Sequence, residues 1–357
     1  MDWKGLIPAP DTLPAAWGFF EILDVLTFVV HILLINLVVG GCLFVLINRF
    51  RGNTAGPGQR MSGALELKIP SLIAISVTIG VAPLLFVQVL YGHLIYSSSV
   101  LMAVFWILVI PVLILGYYGA YLYVHRIRKG EEKSVLATAS ITVTVLALLY
   151  IAFIFVNNMT LMLNPQNWSG YFENRSGLML NLGDSTVFPR YAHFLIASIA
   201  VAGLFNAIVW NFRKQPDKVK KGLKVFAFAT MIQVLVGVWL IFAIPSEFVK
   251  LFMGGSPTYS AVLGIAVILA IVAISTAMRG KLWLTVGILT TVALLMGTIR
   301  AFVRAAYISK IFSFSEMTLA PQYGTMIVFL IILLIGVAIV AWMIKQALAA
   351  QRGRVAE

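Results

Sequence analysis

Cysteine occurs once in this chain, at Cys42. One thiol excludes an internal disulfide, a C-x-x-C-H attachment of c-type haem and a cysteine-ligated iron–sulfur cluster. Charge is scarce too: 11% of residues are charged and 61% are hydrophobic, with a mean hydropathy of +0.98. A soluble domain carries roughly 25% charged residues. Acids are the rarer sign, 13 against 26 Lys and Arg. The weak alternating ten-residue segments of a transmembrane β-barrel are missing as well. The first twenty residues hold Pro8, Pro10, Pro14, Asp2 and Asp11 and lack a basic start with a short apolar core, so no cleavable signal peptide is expected.

Apolar runs, by contrast, fill the chain at the length of about 20 residues that a helix needs to cross a bilayer. Nine spans are read at approximately 22–47, 68–92, 99–124, 134–157, 190–212, 224–244, 260–278, 283–306 and 323–345. The expected fold class is an all-α integral membrane protein, a bundle of about nine transmembrane helices. Residues 1–20, with Trp3, Trp17, Phe19 and Phe20, read as an interfacial segment on the outer surface, 21–346 as one membrane domain and 347–357 as a cytoplasmic tail. Pro83 and Pro111 fall inside the second and third spans and are expected to kink them. The long outer connection 158–189 carries Trp168, Tyr171 and Phe172 and is expected to fold back over the helix ends or to meet a partner.

The net charge of +13 invites a nucleic-acid reading, but its distribution argues otherwise. Alternate connections hold 19 of the 26 basic residues, among them Arg49, Arg51, Arg60, Arg126, Arg128, Lys129, Arg213, Lys214, Lys218, Arg279, Lys281, Arg352 and Arg354. The positive-inside rule puts those connections in the cytoplasm, the N-terminus outside and the C-terminus inside. The charge is a topology signal, no nucleic-acid partner is expected, and the location is the bacterial inner membrane, multi-pass. The sequons at Asn158, Asn167 and Asn174 carry no weight there.

Four histidines are the groups most able to carry chemistry. His125 sits at the basic end of the third span and reads as a solvated interfacial residue. The other three fall in the outer half: His31 inside "FVVHILLINLVVGG", His93 at the end of the second span in "YGHLIY", and His193 in "RYAHFLIASIAVAG". An ionisable group at membrane depth is costly unless paired, hydrated or bound to something, and imidazole is the usual axial ligand of protein-bound haem. A flat macrocycle needs small residues beside its ligand: Gly40 and Gly41 follow His31, and Ala197, Ser198, Ala200, Ala202 and Gly203 follow His193. The bland reading of His31 and His193 is a hydrogen-bonded structural histidine, that of the small stripe is helix packing, and that of His93 is snorkelling to water.

Arg300 and Arg304 share a helical face (i, i+4) near the outer end of the eighth span. They suit haem propionates or another anion, as does Arg190, or they snorkel at the interface. Glu21 and Asp24 stand at the mouth of the first span, and Asp24, seven residues before His31, either orients that ring or caps the helix. Gln88 and Gln233 are expected to bond neighbouring helices.

These segments resemble subunit I of cytochrome bd quinol oxidase. His31 is similar to the family's first-span histidine that ligates a haem of the oxygen site, "IGVAPLLFVQVLYG" to its second span, and "FIFVNNMTLMLNPQNW" to its fourth-span exit. "RYAHFLIASIAVAGLF" is similar to its fifth span, so His193 matches the ligand of the low-spin b haem. Against the family's pattern, Gln88 and apolar residues replace the second- and third-span glutamates. Phe302 stands near the expected span-eight glutamate, Val262 near the expected axial methionine, and the quinol loop shrinks to "PSEFVKLFMGGSPTY".

The resemblance therefore implies a haem b membrane subunit that carries electrons between the quinone pool and a periplasmic redox partner, a c-type cytochrome for example, without reducing oxygen. It implies two b haems, or three if His93 holds another. His31, His193 and His93 are the candidate ligands, Met253 is a candidate sixth ligand, and Arg300, Arg304 and Arg190 would steady the propionates. Membrane lipid surrounds the chain, and quinone is a candidate ligand. The alternatives are a quinol oxidase proper, a proton-coupled transporter and a cofactor-free membrane anchor.

Overall fold

A computed structural model describes residues 3–52, 63–131, 133–173, 175–313 and 317–356. Asp2, Arg60 and Asn174 lie outside the described residues, as do the side chains of Arg352 and Arg354. In lipid a backbone must satisfy its own hydrogen bonds, and long apolar runs do so as helices. Nine such helices are present among the described residues: α1 (Trp17–Phe50), α3 (Ile69–Leu101), α4 (Ala103–Arg128), α5 (Val135–Leu163), α6 (Val187–Phe212), α7 (Pro216–Ala243), α9 (Pro257–Met278), α10 (Leu282–Ile308) and α11 (Tyr323–Ala356). Two short ones, α2 (Gly63–Glu66) and α8 (Ser246–Lys250), complete the set. Gly130 (φ +76°) and Gly280 (φ +74°) end α4 and α9 in the left-handed conformation that only glycine adopts without strain. Below, the end of the bundle where α1 begins is the N-face and the opposite end the C-face.

Several helices run further than hydropathy indicates. α3 continues nine residues beyond 92, so His93 lies inside a helix and not at its end. α5 continues to Leu163, and α7 begins at Pro216, so Lys218, Lys220, Lys221 and Lys224 ride on its first turns. The backbone stays helical at Pro83 and at Pro111. The break in α3 falls at Tyr91 (φ −132°, ψ 27°), where the tyrosine hydroxyl donates to Glu21 Oε2 at 3.1 Å.

α1 is the central helix, packed against α3, α5, α6 and α10. It comes very close to α6: a Cβ on Gly40 would stand 2.0 Å from the Ser198 carbonyl oxygen and 2.7 Å from the Ala202 Cβ. Three positions of the small stripe of α6 serve helix packing, its bland reading: Ser198 and Ala202 against α1 and Gly203 against Gly222, Val225 and Phe226 of α7. Ala197, one turn after His193, is half-buried. The obstacle at Gly40 is backbone, which cannot swing aside. Gly40→Val is expected to cost about 3 kcal/mol or more, at the upper end of overpacking penalties. A clear fall in the melting temperature of the detergent-purified protein checks this; a melt within a degree of wild type contradicts it.

The N-terminal segment is stitched into the protein. Leu13 is buried, and backbone bonds join it to Thr318 and Ala320. The connection after α5 folds back over the N-face: Trp168 Nε1 donates to the Leu161 carbonyl, Val104 N to Gly177 O, and Met179 N to Leu101 O. α11 stands apart, nearly every described side chain of it exposed, and its apolar surface all round suits lipid on every side.

Candidate functional site

The α1–α6 packing fixes the relative height of two imidazoles. Ser198 Oγ donates to Asn36 Oδ1 at 2.9 Å, and Gly40 meets Ala202; both pairs lie 162 positions apart in the chain. The two helices run parallel, so the same offset sets His31 level with His193. Gly40 is nine residues after His31, half a revolution round a helix of 3.6 residues per turn. His31 therefore looks away from α6, towards α3, and His193 looks away from α1, towards α7. With axes about 8–10 Å apart and side chains reaching outward, the two rings are separated by roughly 20 Å across the pair.

His31 has one nitrogen committed. Its Nδ1 lies 3.1 Å from the Ser76 carbonyl oxygen, which can only accept, so Nδ1 carries the proton and Nε2 is left with a free lone pair. The ring lies so close to Gly80 that a Cβ there would come within 2.5 Å of Cε1. Asp24 neither orients this ring nor caps the helix, contrary to the sequence reading, because an arginine takes it. His193 has no hydrogen bond among the described residues, and its Nδ1 is buried without a partner. Gly237 of α7 faces it, a Cβ there lying 3.5 Å from Cε1. Gln233, one turn earlier on α7, buries an Oε1 that also has no partner. Among the described residues neither Gln233 nor Gln88 makes the interhelical bond expected of it.

His93 is 7% exposed, which removes the snorkelling reading. Its ring meets Phe312 edge-on at 4.7 Å between centroids, and its Nε2 has no partner. His125 is exposed in the last turn of α4.

Three arginines gather towards the N-face. Arg304, 3% exposed, reaches Asp24 Oδ2 at 2.5 Å and Glu21 Oε1 at 3.2 Å, and stacks over the Tyr91 ring at 4.5 Å. Arg304 is buried, so it does not snorkel; Nη2 takes both acids, while Nε and Nη1 are buried without a hydrogen-bond partner among the described residues. Arg300 stands 3.8 Å from Asp24, 4.0 Å over the Phe28 ring and 3.9 Å from the Met159 sulfur. Arg190 Nε donates to Thr186 Oγ1 at 3.1 Å, while its Nη2 is buried with no partner. Phe28 and Arg190 each lie three residues before an imidazole, so Arg300 and Arg190 lie on the N-face side of His31 and His193.

Met253 sits 60% exposed in a π turn (Leu251–Gly255), at the lip of an apolar hollow of about 40 Å³. Ile241, one turn beyond Gly237, is part of that hollow's wall. Phe302 stacks flat on Tyr259, with centroids 4.2 Å apart, filling the place where the resemblance expects a glutamate. Among the described residues no group of three or more His, Cys, Asp and Glu gathers round a metal-sized space.

Sequence reasoning missed the acceptor Ser76, the glycine Gly80 that makes room for the His31 ring, Gly237 facing His193, and the pairing of Asp24 with Arg304. Gly80 lay in plain view in "IGVAPLL", but nothing in the sequence alone joins it to His31.

Taken together, the nine long apolar helices and the polar groups enclosed by them define a multi-pass α-helical membrane protein. No family model, no curated protein and no solved structure matches the chain.

Proposed function

We propose that this chain is a haem b membrane subunit, a divergent relative of cytochrome bd quinol oxidase subunit I, that carries electrons between the quinone pool and a periplasmic redox partner such as a c-type cytochrome. The N-face is then the periplasmic side of a bacterial inner membrane. The observation that carries the reading is His193: a half-buried imidazole whose buried Nδ1 has no hydrogen-bond partner among the described residues, faced by glycine, three residues from a guanidinium with a buried, unpartnered N–H. An unsatisfied polar ring at membrane depth is costly, and ligation of iron removes that cost.

The donor set fits the group at both ends. His31 donates one ring N–H to a backbone carbonyl, the usual companion of a metal-ligating histidine, and keeps Nε2 for a ligand. Arg190, with an open N–H, and Arg300, half-held by Asp24, suit propionate carboxylates. Arg304 pairs with Asp24 and Glu21 through Nη2, which fixes α10 to α1 and positions Arg300, and its unpartnered Nε and Nη1 suit a propionate as well. Haem supplies one-electron chemistry, and the protein supplies ligands, position and a surrounding that sets the potential. His93, also buried with a bare Nε2, is the candidate for a third haem, and Met253 is the remaining candidate axial ligand on the α8–α9 connection. The resemblance's oxygen-site acids are replaced by Gln88 and Phe302, so electrons pass through and oxygen is not reduced.

Quinol added to the purified protein under argon is expected to bring up reduced b-type bands, and the same mixture in air is expected to consume no oxygen beyond a protein-free blank. Quinol-dependent oxygen uptake would instead make it an oxidase. A Gly80→Ala variant is expected to shift the spectrum of the His31 haem, because the new methyl displaces the ring; bands identical to wild type contradict that role for His31.

A cofactor-free anchor is the second reading, favoured by one observation: Arg304 Nη2 finds both Asp24 and Glu21 without help from a ligand. A chain that takes up no haem when supplied with it decides for the anchor.

A further inference from the structure

The C-face corner where α6 turns into α7 carries a concentration of positive charge that the electron-transfer reading does not use. Arg213, Lys214, Lys218, Lys220, Lys221 and Lys224 fall within twelve residues, with Asp217 as the one acid among them. Arg213 stands 4.9 Å and Lys218 3.6 Å from the ring centroid of Trp210, so two cations converge on one buried indole. Lys214 holds a positive φ of 56°, which turns the chain sharply at this corner.

The corner does not stand alone. The Phe212 ring meets Trp283 edge-on at 5.8 Å, which brings the α9–α10 corner with Arg279 and Lys281 alongside. Arg213, Lys221, Arg279 and Lys281 are exposed, and none makes an ion pair among the described residues. At the corner between α4 and α5 part of the positive charge is engaged: Arg126 pairs with Glu131 at 2.8 Å, and Arg49 donates to Ser134 O and Thr138 Oγ1, while Arg128 and Lys129 are exposed.

Directly beside the cations the surface becomes apolar. Phe212 is 71% exposed and Trp283 56%, with Leu284 and Met278 exposed next to them. A free phosphate would use only the cations. A molecule with a phosphate head and acyl chains uses both halves of the surface, and basic clefts between helices at this depth suit anionic headgroups. We propose that the paired α6–α7 and α9–α10 corners bind the phosphate headgroup of an anionic phospholipid, its acyl chains lying along Phe212 and Trp283. The site is independent of haem and of the direction of electron flow.

The test is native mass spectrometry of the full chain in neutral detergent, titrated separately with phosphatidylglycerol and phosphatidylcholine of the same acyl chains. The wild type is expected to bind phosphatidylglycerol at least fivefold more tightly, a preference that weakens as ammonium acetate concentration rises. Arg213→Gln/Lys221→Gln/Arg279→Gln is expected to lose that preference, since each cation near a headgroup is worth about a fivefold change in affinity. Arg128→Gln/Lys129→Gln, at the α4–α5 corner, is expected to keep it. Equal affinity for the two lipids in wild type overturns the proposal without any variant, as does a folded triple variant that retains the preference. Glycerol phosphate competing as well as the lipid reduces the site to an anion cluster and overturns the lipid assignment.

Discussion

Asp24→Leu is expected to lower the stability of the protein by about 3–5 kcal/mol, the cost of breaking a buried ion pair from one side. Asp24 is fully buried, and its Oδ2 lies 2.5 Å from Arg304 and 3.8 Å from Arg300. Removing the carboxylate leaves two guanidinium groups among helices in lipid, with Glu21 alone to answer them. Arg304→Leu on the same background is expected to return most of the loss, because a matched apolar pair at such a site is often as stable as the ion pair. Unfolding of the detergent-purified single and double variants measures the coupling between the two sites. Additive losses would show that the pair is decorative and that another contact holds α1 to α10.

His193→Ala is expected to remove one haem per chain while leaving the helices intact. Alanine suits a helix interior, and the imidazole makes no hydrogen bond that its loss would break. The change should appear as a lower haem-to-protein ratio with an unchanged elution profile. His31→Ala is expected to lose the other haem, so the two variants together separate the spectral components. The rings are level in the bundle yet lie on opposite flanks of the α1–α6 pair, so each loss should leave the other site's bands in place. An unchanged ratio in His193→Ala removes the assignment of that residue.

Much of the architecture was legible in the sequence. Hydropathy alone marks nine spans because lipid forbids unsatisfied backbone, and each span centre falls inside a long helix. The ends were less legible, since α3 and α7 carry on as helix past the point where apolar residues stop. A break that the sequence did not mark falls at Tyr91, a residue whose place is set by Glu21 and Arg304 on other helices.

At the candidate site the residue types were visible and the partners were not. Asp24 precedes His31 by two turns, which suggested that they meet, yet the carboxylate is taken by an arginine 280 positions away. Small residues after each histidine suggested room for a flat ligand, yet Gly40, Ser198 and Ala202 are spent on helix contact. The His31 ring packs on Gly80 and Gly237 faces His193, on helices that only the tertiary fold brings alongside.

The central claim is that the buried imidazoles hold haem. Dithionite-reduced minus oxidised visible spectra of the purified, haem-supplied protein, with pyridine extraction for stoichiometry, test it most directly. The account predicts sharp b-type bands and two or more haems per chain. A featureless spectrum from a folded, monodisperse preparation would contradict it.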